Sequence, residues 1–277
     1  MRNKMPYPLN IIGESLNASI PSVKEAVIER DEEKVTALAT RQAECGAHML
    51  DVNAAVVGRN EPDDLVWVIQ TVQSVVDLPL VMDSSDPKAL QEALKVYGGP
   101  APILSSITGE MTEGHEILLS LAVEHDCGLV AMCMDDEGIS PDPVRRLHVA
   151  ERLFERAGKA GLKPENLYID PLVMAISADT TAGATFLELL HMIRERLPGV
   201  HTFCGASNVS HGMPLRRLIN HTFISMLVAL GMDSFLVNVR DQGLMATFLA
   251  SAALIGQDEW SMKYIGAFRA GKLDVDK

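Results

Sequence analysis

Carboxylate, amide and hydroxyl side chains gather at the ends of short apolar runs in this chain, and cations are scarce there. Glu14 and Asn17 follow the first run, Asp51 and Asn53 close the second, and Asp83 closes the third. Ser105 lies in the fourth run, Asp170 in the sixth, and Gly205, Ser207 and Asn208 close the seventh. The eighth carries Asn238, followed by Arg240 and Asp241. Burying Asp51, Asp83 and Asp170 without partners would be costly. A ligand rich in N–H donors would supply them. A pterin or guanine-like ring offers adjacent N–H and NH2 groups on one edge, and one carboxylate accepts both as a bidentate pair. Helix capping is the rival reading. Asp86, just before Pro87, fits that rival best, and Asn208 can be read as a cap for a helix near Pro214.

Other chemistries find less support. The eight histidines are scattered, with no HxxxH or HExxH spacing, whereas a catalytic zinc needs three convergent ligands. No metal site is expected. His48 and His201 open buried-looking runs and read as packed core; His211 is the one histidine placed to touch a ligand. No GxSxG elbow is present. Cys45, Cys127, Cys133 and Cys204 form no CxxC pair, which suits reduced thiols in a cytoplasmic enzyme. The 14 methionines lie mostly in apolar surroundings and read as core filling.

The elements that must position these groups alternate. Eight β-like runs cover 9–14, 48–53, 80–85, 102–107, 128–134, 167–174, 201–207 and 234–239. Most are continuously apolar, as strands buried on both faces of a parallel sheet are. Helical stretches lie between them near 21–46, 62–76, 86–96, 112–125, 142–160, 181–196, 214–230 and 241–255. Prolines 21, 62, 87, 143 and 214 mark helix starts. Eight β-then-α units in a 277-residue chain predict a (β/α)8 TIM barrel in one domain, with a short C-terminal helical extension from Gln257. A doubly wound open sheet is the rival, weakened by the lack of a GxGxxG string. Lys and Arg total 24 against 37 Asp and Glu, a net charge of −13, with no basic run longer than two. That argues against a nucleic-acid partner. No apolar run reaches membrane-spanning length.

IIGESLN (11–17), MLDVN (49–53), LVMDSS (80–85), YIDPL (168–172) and GASNVSHG (205–212) resemble the strand-end motifs of pterin-binding methyltransferases. They are most similar to the methyltetrahydrofolate:corrinoid-protein methyltransferases of acetogenic and demethylating anaerobes, relatives of the folate domain of methionine synthase. The resemblance implies a TIM barrel, usually homodimeric, that moves a methyl group between N5 of tetrahydrofolate and the cobalt of a corrinoid (cobalamin) carried by a partner protein. No DxHxxG string, the corrinoid-binding signature, occurs in this chain. Carried over residue by residue, Asp83 and Asp170 hold the pterin ring and Asn208 stands at N5. Asp51, Asn53, Glu14, Asn17, Gly205 and Ser207 line the same site. The family commonly has Asn at the fourth strand end; here that position matches Ser105. Dihydropteroate synthase shares the barrel but resembles Ser-Arg/Lys at the seventh strand, where this chain has Ser207-Asn208-Val209. That synthase chemistry and a non-catalytic pterin-binding barrel are the alternatives.

Overall fold

The computed structural model describes residues 7–273. Eight parallel strands close on themselves in chain order: β1 (Asn10–Asn17), β2 (Met49–Asn53), β3 (Leu80–Asp83), β4 (Ile103–Thr108), β5 (Gly128–Met132), β6 (Leu167–Asp170), β7 (His201–Gly205) and β8 (Ser234–Val237). Ten helices surround them: α1 (Pro21–Glu29), α2 (Glu32–Glu44), α3 (Glu61–Gln73), α4 (Pro87–Val96), α5 (Glu113–Glu124), α6 (Pro143–Ala160), α7 (Ala182–Arg196), α8 (Arg216–Ala229), α9 (Gln242–Leu254) and α10 (Met262–Arg269). The expected TIM barrel is the fold found, and α10 forms the expected extension. No helix among the described residues is long and apolar enough to cross a membrane.

The continuous apolar runs serve two cores at once. In β3, Leu80 and Met82 pack outward on the helices, while Val81 points into the barrel. Ile12, Met49, Val81, Ile103, Val130 and Phe203 form an apolar plug inside the barrel. Side chains two residues apart share a face of a strand. The next inward positions above the plug are therefore Glu14, Asp51, Asp83, Ser105, Met132 and Gly205. Tyr168 and Leu236 pack against the plug, which places Asp170 and Asn238 in the same upper layer. The polar ring is thus the next layer above an apolar floor, at the end where barrel enzymes keep their sites.

Several boundaries differ from those expected. One helix over 21–46 becomes two, because Arg30 adopts a left-handed conformation (φ 55) and Asp31 restarts the chain by accepting from the Lys34 amide at 2.9 Å. β6 stops at Asp170, four residues early, since Pro171 cannot donate to the ladder and Leu172 sits at φ 65. β1 instead runs on to Asn17, its register slipping between Gly13 and Leu16. An added Cβ at Gly13 would stand 2.5 Å from Gln42 Oε1, the atom that accepts the Ser15 amide.

The opposite end of the barrel is sealed. Asp233 is fully buried and accepts from the Thr202 amide at 2.8 Å, from Thr202 Oγ1 at 3.0 Å and from His201 Nδ1 at 2.9 Å. The His201 ring is stacked by Tyr7 at 3.8 Å and Tyr168 at 4.3 Å. His48 Nδ1 accepts the Ile11 amide at 3.2 Å. His201 is packed as expected, whereas His48 is exposed and not a core residue, tied to the barrel by the Ile11 amide. Asp233→Ala should destabilise the protein by about 3 kcal/mol, because it strands buried donors that each cost about 1–3 kcal/mol. Urea unfolding measures that loss, and ligand binding at the far end should be unaffected in the folded fraction.

Candidate active site

A repeated local device shapes the upper layer. A strand-end side-chain oxygen accepts the backbone N–H two residues on, which fixes the side chain and leaves its second polar atom free. Asn17 Oδ1 accepts from Ser19 at 2.9 Å, and its amide reaches Asp51. Asn53 Oδ1 accepts from Ala55 at 3.1 Å, and its Nδ2 donates to Asp83 Oδ2 at 3.0 Å. Asp170 Oδ1 accepts from Leu172 at 2.7 Å. Asn238 Oδ1 accepts from Arg240 at 3.1 Å. The amide nitrogens of Asn17 and Asn53 are thereby aimed at carboxylates, and Asp170 Oδ2 and Asn238 Nδ2 are left for the barrel interior.

The carboxylates remain short of donors. Asp51 is 2% exposed, and its Oδ2 has no hydrogen-bond partner. Burial, reinforced by the charges of Asp83 and Glu14, pushes Asp51 well above the carboxylate range, with the Asn17 amide pulling the other way. Burial also raises Asp83 against the pull of Asn53. Asp170 is pushed up to about 7 by burial, against the Leu172 amide and the Arg146 charge. Glu14 is raised by burial, and Arg216 and Arg240 act against it. A site with this donor deficit suits a ligand edge made of N–H groups.

Asn208 is presented differently. It lies on a single 3-10 turn, Ala206–Ser210, directly after β7, and is exposed. Arg216 pins that turn, donating to Ser207 O at 3.0 Å and to Ser210 Oγ at 3.0 Å. From the β6–α7 loop, the Ile176 amide donates to Val209 O at 3.0 Å, and Ser177 Oγ donates to His211 O at 2.6 Å. Gly205 leaves room for the amide: a Cβ there would stand 3.3 Å from Asn208 Nδ2. Asn208 caps no helix, because Leu215 holds the N-cap position of α8. Asp86 does cap α4, accepting from Lys88 at 2.9 Å. Ser105 is half-buried and faces inward, at a register slip between Ser105 and Ile107 of β4. His211 is exposed on the Asn208 loop.

Two contributors escaped the strand-end reading because they sit on helices. Arg146 of α6 is 2% exposed, donates to the Leu172 carbonyl and carries its charge towards Asp170 and Cys133. Gln42 of α2 holds the β1 irregularity. Each is a polar residue on an otherwise apolar helix stripe: Arg146 with Ala150 and Leu153, Gln42 with Val35 and Ala39. That anomaly is their signature in sequence. The three buried thiols are not poised for chemistry: burial drives Cys127 up to about 11 and also raises Cys133 and Cys204. Among the described residues no cluster of three or more His, Cys, Asp or Glu could hold a metal ion. A groove of about 790 Å3 lined by Gln70, Gln73, Val96 and Gly98 lies at the C-terminal ends of α3 and α4, near the sealed end of the barrel, and contains none of the site residues.

Comparison with known proteins identifies the family. The family profile described as "Pterin binding enzyme" matches residues 13–238. A methylcorrinoid:tetrahydrofolate methyltransferase of Eubacterium limosum is 36% identical over 265 residues, spanning 95% of this chain and 97% of that one. A methionine synthase of Mycobacterium tuberculosis is 30% identical over 240 residues, which is 82% of this chain but only 20% of that enzyme. A Xanthomonas albilineans dihydropteroate synthase superposes with a TM-score of 0.68 at 20% identity, over 92% of this chain and 95% of that one, which speaks to the barrel alone. The chain belongs to the pterin-binding enzyme family, in its methyltransferase branch.

Proposed function

We propose that this enzyme moves a methyl group between a partner corrinoid protein and N5 of tetrahydrofolate. One observation carries the reading. Two donor-poor carboxylates, Asp83 and Asp170, stand in a buried ring, and a freely presented amide, Asn208, stands on the turn after β7. The carboxylates suit the N–H edge of a pterin, and the amide suits the ring nitrogen that reacts. Asp51, Glu14, Asn17, Asn53 and Ser105 line the floor and wall of that pocket, with Ser105 in place of the family Asn. Gly205 and Ser207 hold the Asn208 turn. The name of the Eubacterium limosum relative supports the same pair of substrates.

In the direction of folate methylation, the N5 lone pair attacks the methyl carbon of methyl-Co(III). The N5–C bond forms as the Co–C bond breaks, and the bonding pair leaves with cobalt as Co(I). The N5 centre becomes cationic and then gives its proton to solvent. In reverse, Co(I) attacks the methyl group, and N5 must carry positive character to leave. Asn208 serves both directions, because an amide accepts from a protonated nitrogen and donates to a neutral one. The surrounding carboxylates add a negative field that favours the cationic N5 of the transition state. The corrinoid is a substrate here, delivered on its own protein.

Turnover of methylcob(III)alamin with tetrahydrofolate, read as Co(I) formation, tests the assignment; no methyltetrahydrofolate product would reject it. The same reading includes a homodimer, which sedimentation at micromolar concentration checks, a monomer being the contrary result.

Asp83→Asn and Asp170→Asn should each weaken folate binding by about 1.5–3 kcal/mol, the worth of a charge-assisted acceptor, or about one to two decades in Kd. The pH dependence has a definite sign. Asp170 accepts as a carboxylate, and its pKa is raised to about 7, so affinity should rise as pH climbs through about 7 and level off above it. Calorimetric titrations across pH should show that rise in the wild type and lose it in Asp170→Asn.

Asn208→Ala should lose turnover by more than it loses folate affinity. Its hydrogen bond grows in strength as charge develops on N5, so the loss falls on kcat, by about 10^2–10^3. Single-turnover methyl transfer at saturating folate makes the comparison; near-normal rates there would make Asn208 structural.

A further inference from the structure

Asp51 is the deepest of the mouth carboxylates and the worst supplied. It is 2% exposed, and its Oδ2 has no donor. The groups facing it are Glu14 and the Asn17 amide from β1 and Asp83 from β3. Behind β2, α2 offers Gln42, whose Oε1 is already engaged by Ser15, and α3 offers Asp64, tied between Arg30 at 2.6 Å and Arg59 at 2.7 Å. Neither helix presents a buried cation to Asp51. Arg216 and Arg240 act on Glu14 and not on Asp51. Asp83, in contrast, is half-buried and accepts from Asn53 at 3.0 Å.

Two neighbouring carboxylates in such surroundings do not both ionise; they titrate as a pair. We propose that Asp51 and Asp83 together hold one proton, resident on the deeper Asp51, which makes Asp51 a positioning residue that leaves Asp83 as the single charged acceptor turned to the ligand. Protonation converts Asp51 from an acceptor with an orphaned oxygen into a donor. It also sets the charge of the floor: one carboxylate for one N–H edge instead of two in mutual repulsion. The consequence for binding rests on the pterin reading; the proton itself does not.

The experiment compares wild type with Asp51→Asn, an isostere that is neutral at every pH. The folded pair keeps a proton that the unfolded chain releases once pH exceeds the ordinary carboxylate pKa of about 4. Wild type must therefore lose stability relative to the variant as pH rises. In urea unfolding between about pH 5 and 7, the ratio of the two unfolding constants should grow about tenfold per pH unit, one proton's worth. Parallel curves would overturn the proposal, and so would failure of the neutral isostere to fold. For binding, Asp51→Ala should weaken tetrahydrofolate about tenfold, and Asp51→Asn should restore most of that loss. If Asn instead loses as much as Asp83→Asn, then Asp51 is a charged ligand contact and the proposal fails. A wild type that binds no folate would sink the pterin reading, while the unfolding slopes still decide where the proton lies.

Discussion

The upper layer of this barrel is governed by a shortage of hydrogen-bond donors around buried carboxylates. Asp51, Asp83, Asp170 and Glu14 sit directly above an apolar plug, with Asp51 and Asp170 buried and Asp83 and Glu14 half-buried. Isolated burial of such groups costs several kcal/mol each. The chain meets the shortage only in part. Asn17 and Asn53 each spend one atom on a local backbone N–H and aim the amide nitrogen at a carboxylate. The remaining deficit is met by raised proton affinity or by a ligand, and the switch between those two states is what couples binding to pH.

The two ends of the barrel show what the deficit means. At the sealed end, one aspartate, Asp233, takes donors from Thr202 and His201 and is fully satisfied. No shortage exists there. At the open end the same residue type is left with Asp51 Oδ2 unpaired. Arg146 acts on Asp170 through its charge and makes no hydrogen bond to it; its Nη2 donates to the Leu172 carbonyl and braces the loop from behind. A cation in the pocket itself would compete with a ligand that brings its own N–H donors.

Much of this was legible in the residues. Apolar runs ending in Asp, Asn and Ser gave strand number, parallel closure and the membership of the polar layer, because barrel strands obey a two-residue alternation with little tertiary interference. The finer distinctions were not. Asp51 and Asp83 look equivalent in MLDVN and LVMDSS, yet one is buried beneath the other, a difference set by strand stagger rather than by local sequence. The division of residues 21–46 into α1 and α2 depended on a left-handed Arg30, a conformation for which arginine gives no signal. Gly205 read as part of a motif; only the structure shows that a Cβ there would stand 3.3 Å from the Asn208 amide nitrogen.

On the proposed function, the size of a protein-borne second substrate accounts for where these groups stand. Asp83 and Asp170, which we propose hold the pterin, lie at strand ends, where Asp83 pairs with Ser105 of β4 and Asp170 with Met132 of β5. A reacting amide on the same layer would be just as well fixed, but a corrinoid carried on a protein could not reach past the rim to the nitrogen beside it. Asn208 is accordingly lifted onto a turn one step above β7, at the cost of strand rigidity. Rigidity is returned by other means: Arg216 ties the turn to α8, and Ile176 and Ser177 tie it to the β6–α7 loop. Exposure and precision usually oppose each other in a loop. Here the same turn supplies both, because its backbone is held from two sides while the Asn208 side chain is left without a partner.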